Sequence, residues 1–142
     1  MNLEIKLLDE TLPLPEYQTR GSVAFDLYSR INIIIPPKEL RLVPLNVIIS
    51  IPEGYFMMLV ARSSLPIKKG LFCANSIGIV DIDFCGETDE WRFEAYNFTD
   101  LPVTINRGER IAQAMLIKFE KAEILKQNTV SIFSRGGLGS TE

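Results

Sequence analysis

The chain has 142 residues, a formal net charge of −3 and no histidine. Its length fits a single domain. Because it lacks the excess of Lys and Arg with which proteins hold nucleic-acid phosphates, we expect no nucleic-acid partner. The missing histidine excludes Ser-His-Asp and Cys-His nucleophiles and most zinc sites. Any general base must therefore be a carboxylate or a lysine.

Short apolar segments recur along the chain, and turn residues separate them. The predicted strands cover residues 3–8, 23–28, 31–35, 40–51, 55–61, 78–82, 91–98, 103–105, 111–119 and 129–133. This spacing is typical of an all-β barrel or sandwich. One short helix is predicted near Arg62, where a serine can cap it. We expect one β domain over residues 1–133 and a flexible, glycine-rich tail over 134–142.

Polar residues interrupt two of the apolar segments. Asp26 lies within the predicted strand 23–28, so its carboxylate needs a partner such as a salt bridge to offset desolvation. Arg62, Ser63 and Ser64 follow the strand 55–61, where a guanidinium, two hydroxyls and free backbone N–H groups form a plausible anion cradle. An ordinary turn is the alternative for these three residues.

Asp81 and Asp83 alternate with apolar residues, so on a strand or hairpin their carboxylates face the same side. An aspartate is ordinarily ionised at neutral pH and can accept a proton from a positioned water. Asp81 and Asp83 could therefore serve as a base and its partner, and solvated acids on a hairpin are an equally good alternative. Gln113 lies between two alanines that leave room for a ligand, although a solvated glutamine on a turn is equally compatible with the residues.

The tail differs in kind from the rest of the chain. Three glycines flank a lone apolar residue, Leu138, and no strand pattern continues. A frayed terminus is one interpretation. The other is a lid in which Arg135 supplies a charge and the glycines expose backbone N–H groups to phosphate.

Two features bear on the location of the protein. No apolar stretch approaches the roughly 18 residues of a membrane span, and the first residues lack a signal peptide's basic start and apolar run. Cys73 and Cys85 are too few for a disulfide scaffold, which suits a reducing compartment. We expect a cytoplasmic protein with no membrane partner.

Five segments resemble, in chain order, the five motifs of the trimeric deoxyuridine triphosphatases (dUTPases), which hydrolyse dUTP to dUMP and pyrophosphate. They are residues 24–29, 62–65, 78–86 and 108–113, and Arg135 with 139–141. The resemblance implies a jelly-roll subunit, a homotrimer whose sites are lined by neighbouring subunits, and a C-terminal tail that closes over a neighbour's site. It also implies a role in supplying dUMP and limiting uracil in DNA.

The resemblance assigns a role to each motif residue. Asp81 binds the 3′-hydroxyl and activates the attacking water, with Gln113 and Arg62 as the other catalytic positions, and the ring of Phe84 packs against the deoxyribose. The remaining substrate-binding positions are Ser63, Ser64, Asn75, Gly78, Ile79, Val80, Arg92, Arg135, Leu138, Gly139, Ser140 and Thr141. Asp26 and Asp83 have structural or outer-sphere roles. Mg²⁺ is the expected cofactor, held by the triphosphate and water without a direct protein ligand.

Two alternatives remain open at this point. Glu94 lies in a segment that resembles the catalytic strand of the related dCTP deaminases, so a deaminase or a bifunctional enzyme is one alternative. A trimeric binding or regulatory protein without turnover is the other. Residues 87–90 look like a short insertion after the third motif, and the sequence suggests no function for them.

Overall fold

The computed structural model describes residues 2–134 and 136–137, and this part of the chain is built almost entirely from short β-strands. The strands are β1 (Glu4–Leu7), β2 (Phe25–Tyr28), β3 (Ile33–Ile35), β4 (Leu40–Pro44), β5 (Val47–Ser50), β6 (Tyr55–Ala61), β7 (Leu71–Cys73), β8 (Gly78–Val80), β9 (Arg92–Asn97), β10 (Val103–Ile105) and β11 (Arg110–Lys118). One helix, α1 (Leu65–Lys69), lies between β6 and β7.

The strands pair antiparallel in four small sheets. A four-stranded sheet has the order β2-β11-β6-β8, a three-stranded sheet the order β4-β9-β7, and two further pairs are β1-β5 and β3-β10. Each sheet contributes buried side chains to one core, among them Leu27, Val43, Ile49 and Ile105. The predicted all-β, jelly-roll class is confirmed. None of the helices in the described ranges is long and apolar enough to cross a membrane.

The single strand predicted over residues 40–51 is wrong, because Asn46 breaks it into β4 and β5. Asn46 has a positive φ of 67°, which no strand residue adopts. Its side chain supports this conformation, since Oδ1 accepts from the Asp9 backbone N–H at 2.7 Å and Nδ2 donates to the Asp9 carbonyl at 3.0 Å. Asparagine is among the few residues other than glycine that adopt the left-handed region.

Two other predicted strands differ from the structure, and one observed strand was not predicted. Residues 129–133 form no strand, because their side chains are exposed and no neighbouring strand pairs with them in the described chain. The strand predicted over 78–82 ends at Val80, where the chain turns. The short strand β7 (Leu71–Cys73) was not predicted, because three residues carry too little periodicity to detect.

The helix α1 is where the sequence predicted one. Ser64 occupies the N-cap position, but its side chain makes no capping hydrogen bond. Gly70 ends the helix with a φ of 65°, and a Cβ there would lie 2.0 Å from Cγ2 of Thr99. The end of α1 is therefore fixed by a position that only glycine can occupy.

A polar cluster around Asp9 anchors the turn before β11. The Asp9 carboxylate accepts from the Thr11 hydroxyl at 2.6 Å and from Nη2 of Arg107 at 2.6 Å. These bonds, that of Thr11 first, hold the pKa of Asp9 at about 2. Because the ionised carboxylate is the form that is bonded, the cluster ties the N-terminal segment to the turn at residues 106–109.

Asp9→Asn tests this anchor through its pH dependence. The depressed pKa means that the carboxylate stabilises the fold fully above its ordinary value of 3.8 and loses this effect as the pH falls toward about 2. We expect the variant to unfold at a lower temperature than the unmodified chain at pH 7, and this difference to shrink between pH 3.8 and about 2. Thermal unfolding followed by circular dichroism measures both, with Glu10→Gln as the control for loss of a neighbouring exposed charge. A difference independent of pH would contradict the assignment.

Candidate active site

A cleft of about 800 Å³ opens beside the turn that follows β8. Its lining combines most of the third-motif residues with the outward-facing side of β9. The lining residues are Leu42, Leu59, Cys73, Asn75, Gly78, Ile79, Val80, Asp81, Asp83, Phe84, Thr88, Asp89, Glu90, Trp91, Arg92 and Glu94. The structure thus brings together Asn75, Gly78 to Asp81, Phe84 and Arg92, which the sequence assigned to one site.

Asp81 lies in a turn rather than on a strand, which corrects the expected geometry. The backbone N–H of Phe84 donates to the Asp81 carbonyl at 3.2 Å and closes this turn. Asp81 and Asp83 are both exposed, and both line the cleft although strand alternation does not place them there. The Phe84 ring, 43% exposed, is open to contact with a ligand.

The inner end of the cleft is formed where β7 turns into β8. Asn75 lies in this turn, and its Oδ1 accepts from the thiol of Cys73 at 2.9 Å. β7 and β8 belong to different sheets, so this turn links two sheets. Gly78 packs tightly, because a Cβ there would lie 3.2 Å from Cβ of Leu59. Burial, and next the charge of Glu94, raise the pKa of the Cys73 thiol.

The segment 87–90, which the sequence left without a function, forms one wall of this cleft. Glu90 is buried and accepts from Nε of Arg30 at 2.7 Å and from Nη2 at 2.9 Å. It also accepts from the backbone N–H of Asn46 at 3.0 Å. A bidentate pair with a third bond fixes both the position and the orientation of the carboxylate. The next residue, Trp91, is fully buried at the base of the wall.

A second cleft of about 390 Å³ lies at the opposite end of β6. Cationic and hydroxyl side chains dominate its lining, which includes the second-motif residues Arg62 and Ser64. The lining residues are Tyr28, Arg62, Ser64, Leu65, Lys68, Lys69, Gly108, Glu109 and Arg110. Ser63 is exposed nearby but lines neither cleft. The second cleft therefore has the character of an anion site.

Asp26 organises the cations of this second cleft. Its carboxylate is only 7% exposed and accepts from Nε of Arg62 at 3.0 Å through one oxygen and from Nη1 of Arg110 at 3.1 Å through the other. A β-bulge at Ile111 shifts the register between β11 and β2, and such bulges commonly re-aim a side chain. Asp26 thus has the salt bridges that its apolar surroundings required. Burial, ahead of the nearby Glu16 charge, raises the pKa of Tyr28 beside it.

Gln113 lies in the middle of the sheet that carries Asp26 and Arg62. It pairs with Asp26 on β2 and with Val60 on β6, and Nε2 donates to the Ala61 carbonyl at 3.0 Å. The side chain is half-buried, so the alternative of a solvated glutamine on a turn is wrong. The residue opposite Gln113 on β6 is thus two residues before Arg62.

Asp81 of the first cleft and Arg62 of the second lie far apart within one chain. β8 pairs with β6 so that Val80 is opposite Met57, which places Asp81 beside Phe56. Arg62 follows the other end of β6, roughly 20 Å away at about 3.3 Å per residue. This distance exceeds that from a nucleoside's 3′-hydroxyl to its outermost phosphate. One nucleotide therefore does not span the distance between the backbone positions of Asp81 and Arg62 in the same chain.

Some assigned positions fall outside the described residues, namely Arg135, Leu138, Gly139, Ser140 and Thr141. Sequence reasoning missed Tyr28, Lys68 and Lys69 as lining residues of the second cleft. The spacing of Lys68, four residues after Ser64, is the signal that could have found it. Within residues 2–134 and 136–137, no group of three or more Cys, Asp or Glu side chains is arranged to hold a metal ion.

Comparison with known proteins decides the family. The dUTPase family model matches residues 10–142. The chain belongs to the dUTPase family. It is similar to the deoxyuridine 5′-triphosphate nucleotidohydrolase of Dictyoglomus turgidum, with 37% identity over 96% of this chain and 95% of the relative. The crystal structure of the Streptococcus mutans dUTPase superposes with a TM-score of 0.79 at 30% identity, covering 84% of this chain and 98% of that one.

A mutant of the dUTPase of phage 80alpha has the same fold. Its TM-score is 0.84 at 24% identity, over 99% of this chain and 98% of that chain. The family assigned from the five motifs is confirmed, and the fold covers the length of the chain.

Asp26→Asn tests the organisation of the second cleft. We expect a loss of about 2 kcal/mol of unfolding free energy, below the roughly 3–5 kcal/mol of a fully buried pair, because the two arginine side chains are partly exposed. Asp100→Asn is the matched control, since it breaks a surface ion pair between Asp100, which is 91% exposed, and Lys38, which is 55% exposed. That change should cost less than about 1 kcal/mol. Equal losses in urea unfolding would show that Asp26 has no special role.

Proposed function

We propose that this chain hydrolyses dUTP to dUMP and pyrophosphate with a water that Asp81 activates. One observation carries the proposal: Asp81 and Phe84 line the same cleft as Asn75 and Gly78, in a chain whose family is that of the dUTPases. Hydrolysis transfers the water oxygen to phosphorus, breaks the bond between the α and β phosphates, and releases pyrophosphate. Asp81 accepts the proton that the water loses.

The first cleft suits a deoxynucleoside. The side-chain amide of Asn75 and the backbone beside Gly78 can form hydrogen bonds with the edge of a base. The exposed ring of Phe84 can pack against a sugar. Packing of this kind leaves no space for a 2′-hydroxyl. Arg92, exposed on β9, extends the polar rim of the same cleft. The selection of deoxyribose then follows from shape, while the base is read by hydrogen bonds.

The second cleft suits the triphosphate. Arg62 and Arg110 are held by Asp26 before substrate arrives, so their charges need little reorganisation when phosphate charge shifts toward the leaving group. Triphosphate hydrolysis depends mainly on positioning and charge stabilisation. Gln113 and the Ser63 and Ser64 hydroxyls add donors at the same end of β6.

The proposed site draws on more than one copy of the chain. The separation of about 20 Å along β6 argues against one chain supplying both Asp81 and Arg62 to one nucleotide. A homotrimer in which the first cleft of one subunit faces the second cleft of its neighbour satisfies this requirement. In this arrangement Arg135, Ser140 and Thr141 of a tail complete the phosphate clamp, and Leu138 covers the base.

Magnesium is the proposed cofactor, bound by the triphosphate and water. The protein's own residues fit an indirect role, since both carboxylate oxygens of Asp26 already accept from arginines. Bound in this way, the ion would offset phosphate charge. The proposed location is the cytoplasm, where the activity would limit uracil in DNA and supply dUMP.

Glu94 supports a second candidate function, the deamination of dCTP. Its half-buried side chain lines the same cleft as Asp81, where it could face the 4-position of a pyrimidine. The family match favours hydrolysis of dUTP over this activity.

Substrate profiling separates the two functions. The protein is incubated with each deoxynucleoside triphosphate and magnesium, and the nucleotide and pyrophosphate products are separated by chromatography. We expect dUMP and pyrophosphate from dUTP, with little turnover of the other nucleotides, because Asn75 and the backbone beside Gly78 are proposed to read the base and Phe84 the sugar. A uracil nucleotide formed from dCTP would instead make Glu94 a catalytic residue, and no turnover of dUTP would refute the proposal.

Asp81→Asn tests the proposed base. The change keeps the size of the side chain but removes the proton acceptor, so kcat should fall by at least about 100-fold while binding of a non-hydrolysable dUTP analogue persists. Asp83→Asn is the matched control in the same turn and should retain most of the activity. Near-normal kcat in Asp81→Asn, or equal losses in the two variants, would exclude Asp81 as the base.

A further inference from the structure

The second cleft holds more positive charge than its ion pairs neutralise. Four cations line it: Arg62, Arg110, Lys68 and Lys69. Asp26 is shared by the two arginines, and Lys69 pairs with Glu109 at 2.8 Å and donates to the Thr104 carbonyl at 2.6 Å. Four cations facing two carboxylates leave an excess of positive charge, which favours an anionic ligand.

Lys68 is the cation of this group that has no protein partner. Across residues 2–134 and 136–137 its side chain makes no ion pair and no hydrogen bond, and it is exposed. The other three cations are held in place by carboxylates within the protein. The ammonium group of Lys68 is therefore available to a ligand without first breaking a bond.

The backbone places Lys68 directly beyond the second motif. Its N–H donates to the Ser64 carbonyl at 2.9 Å, so the two residues are one helical turn apart and share a face of α1. The fixed end of the helix at Gly70 holds the base of the lysine stem in position. Both residues line the cleft.

We propose that Lys68 binds the outermost phosphate of the nucleotide and the pyrophosphate product at the second cleft. The inference rests on the proposed function for the identity of the ligand, and on the geometry for the residue. Arg62 and Arg110 offer planar groups that Asp26 has already oriented, whereas a lysine is a compact charge on a flexible stem that can follow a phosphate as it leaves. Lys68 is thus a further substrate-binding residue beyond the five motifs.

The test compares Lys68→Ala, the charge-preserving Lys68→Arg, and Lys6→Ala as a control. Lys6 is exposed on β1 and lines neither cleft, so its removal changes the net charge equally. Titration calorimetry measures the affinity of each protein for pyrophosphate with magnesium and dUMP present, and for dUMP alone. Thermal unfolding checks that the exposed substitutions leave the fold unchanged.

We expect Lys68→Ala to weaken pyrophosphate binding by about fivefold, as for one exposed charge pair, and to leave the affinity for dUMP unchanged. Lys68→Arg should stay within about twofold of the unmodified protein, and the deficit of Lys68→Ala should shrink as salt is raised. Equal pyrophosphate affinities for Lys68→Ala and Lys6→Ala would overturn the proposal, as would no measurable binding to the unmodified protein.

Comparing the calorimetry with the kinetics of dUTP hydrolysis separates this proposal from the proposed function. If the unmodified protein fails to hydrolyse dUTP but loses pyrophosphate affinity on Lys68→Ala, the proposed function is wrong and the anion site stands. If dUTP is hydrolysed and its KM is the same in Lys68→Ala as in Lys6→Ala, the function stands and Lys68 has no part in it.

Discussion

The shared salt bridge of Asp26 is the interaction on which the candidate site depends. A carboxylate 7% exposed would be costly to bury alone, and two guanidinium groups offset that cost from opposite sides. In return, the carboxylate allows two like charges that would otherwise repel to stay close together, at the place where the sheet β2-β11-β6 ends. The buried Asp26 carboxylate thus stabilises two neighbouring arginines in fixed positions, although their positive charges repel each other.

Much of this architecture could be predicted from the sequence, and the failures have physical causes. Period-two patterns and turn residues located most strands, because the alternation of buried and exposed side chains is local. The break at Asn46 was missed since it depends on bonds to Asp9 and Glu90, which lie 37 and 44 residues away. The motif order identified the family, but no local pattern shows which motif residues share a cleft.

The segment 87–90 has a structural role that only its tertiary contacts show. Read alone, it is a short acidic insertion. In the fold, Glu90 connects three parts of the chain, because it bonds both Arg30 after β2 and the backbone of Asn46 between β4 and β5. One buried carboxylate therefore couples the wall of the first cleft to the strands that form the core.

The antiparallel register of β6 and β8 also has a genetic consequence. Since it holds the backbone positions of Asp81 and Arg62 of one chain apart, a nucleotide that contacts both in the proposed homotrimer draws them from different copies. Two defective alleles, one lacking the Asp81 carboxylate and the other lacking the Arg62 guanidinium, would then complement each other in the same cell. In mixed trimers, a site can form between a subunit that retains Asp81 and a neighbour that retains Arg62. Trimers made of either variant alone contain no such site.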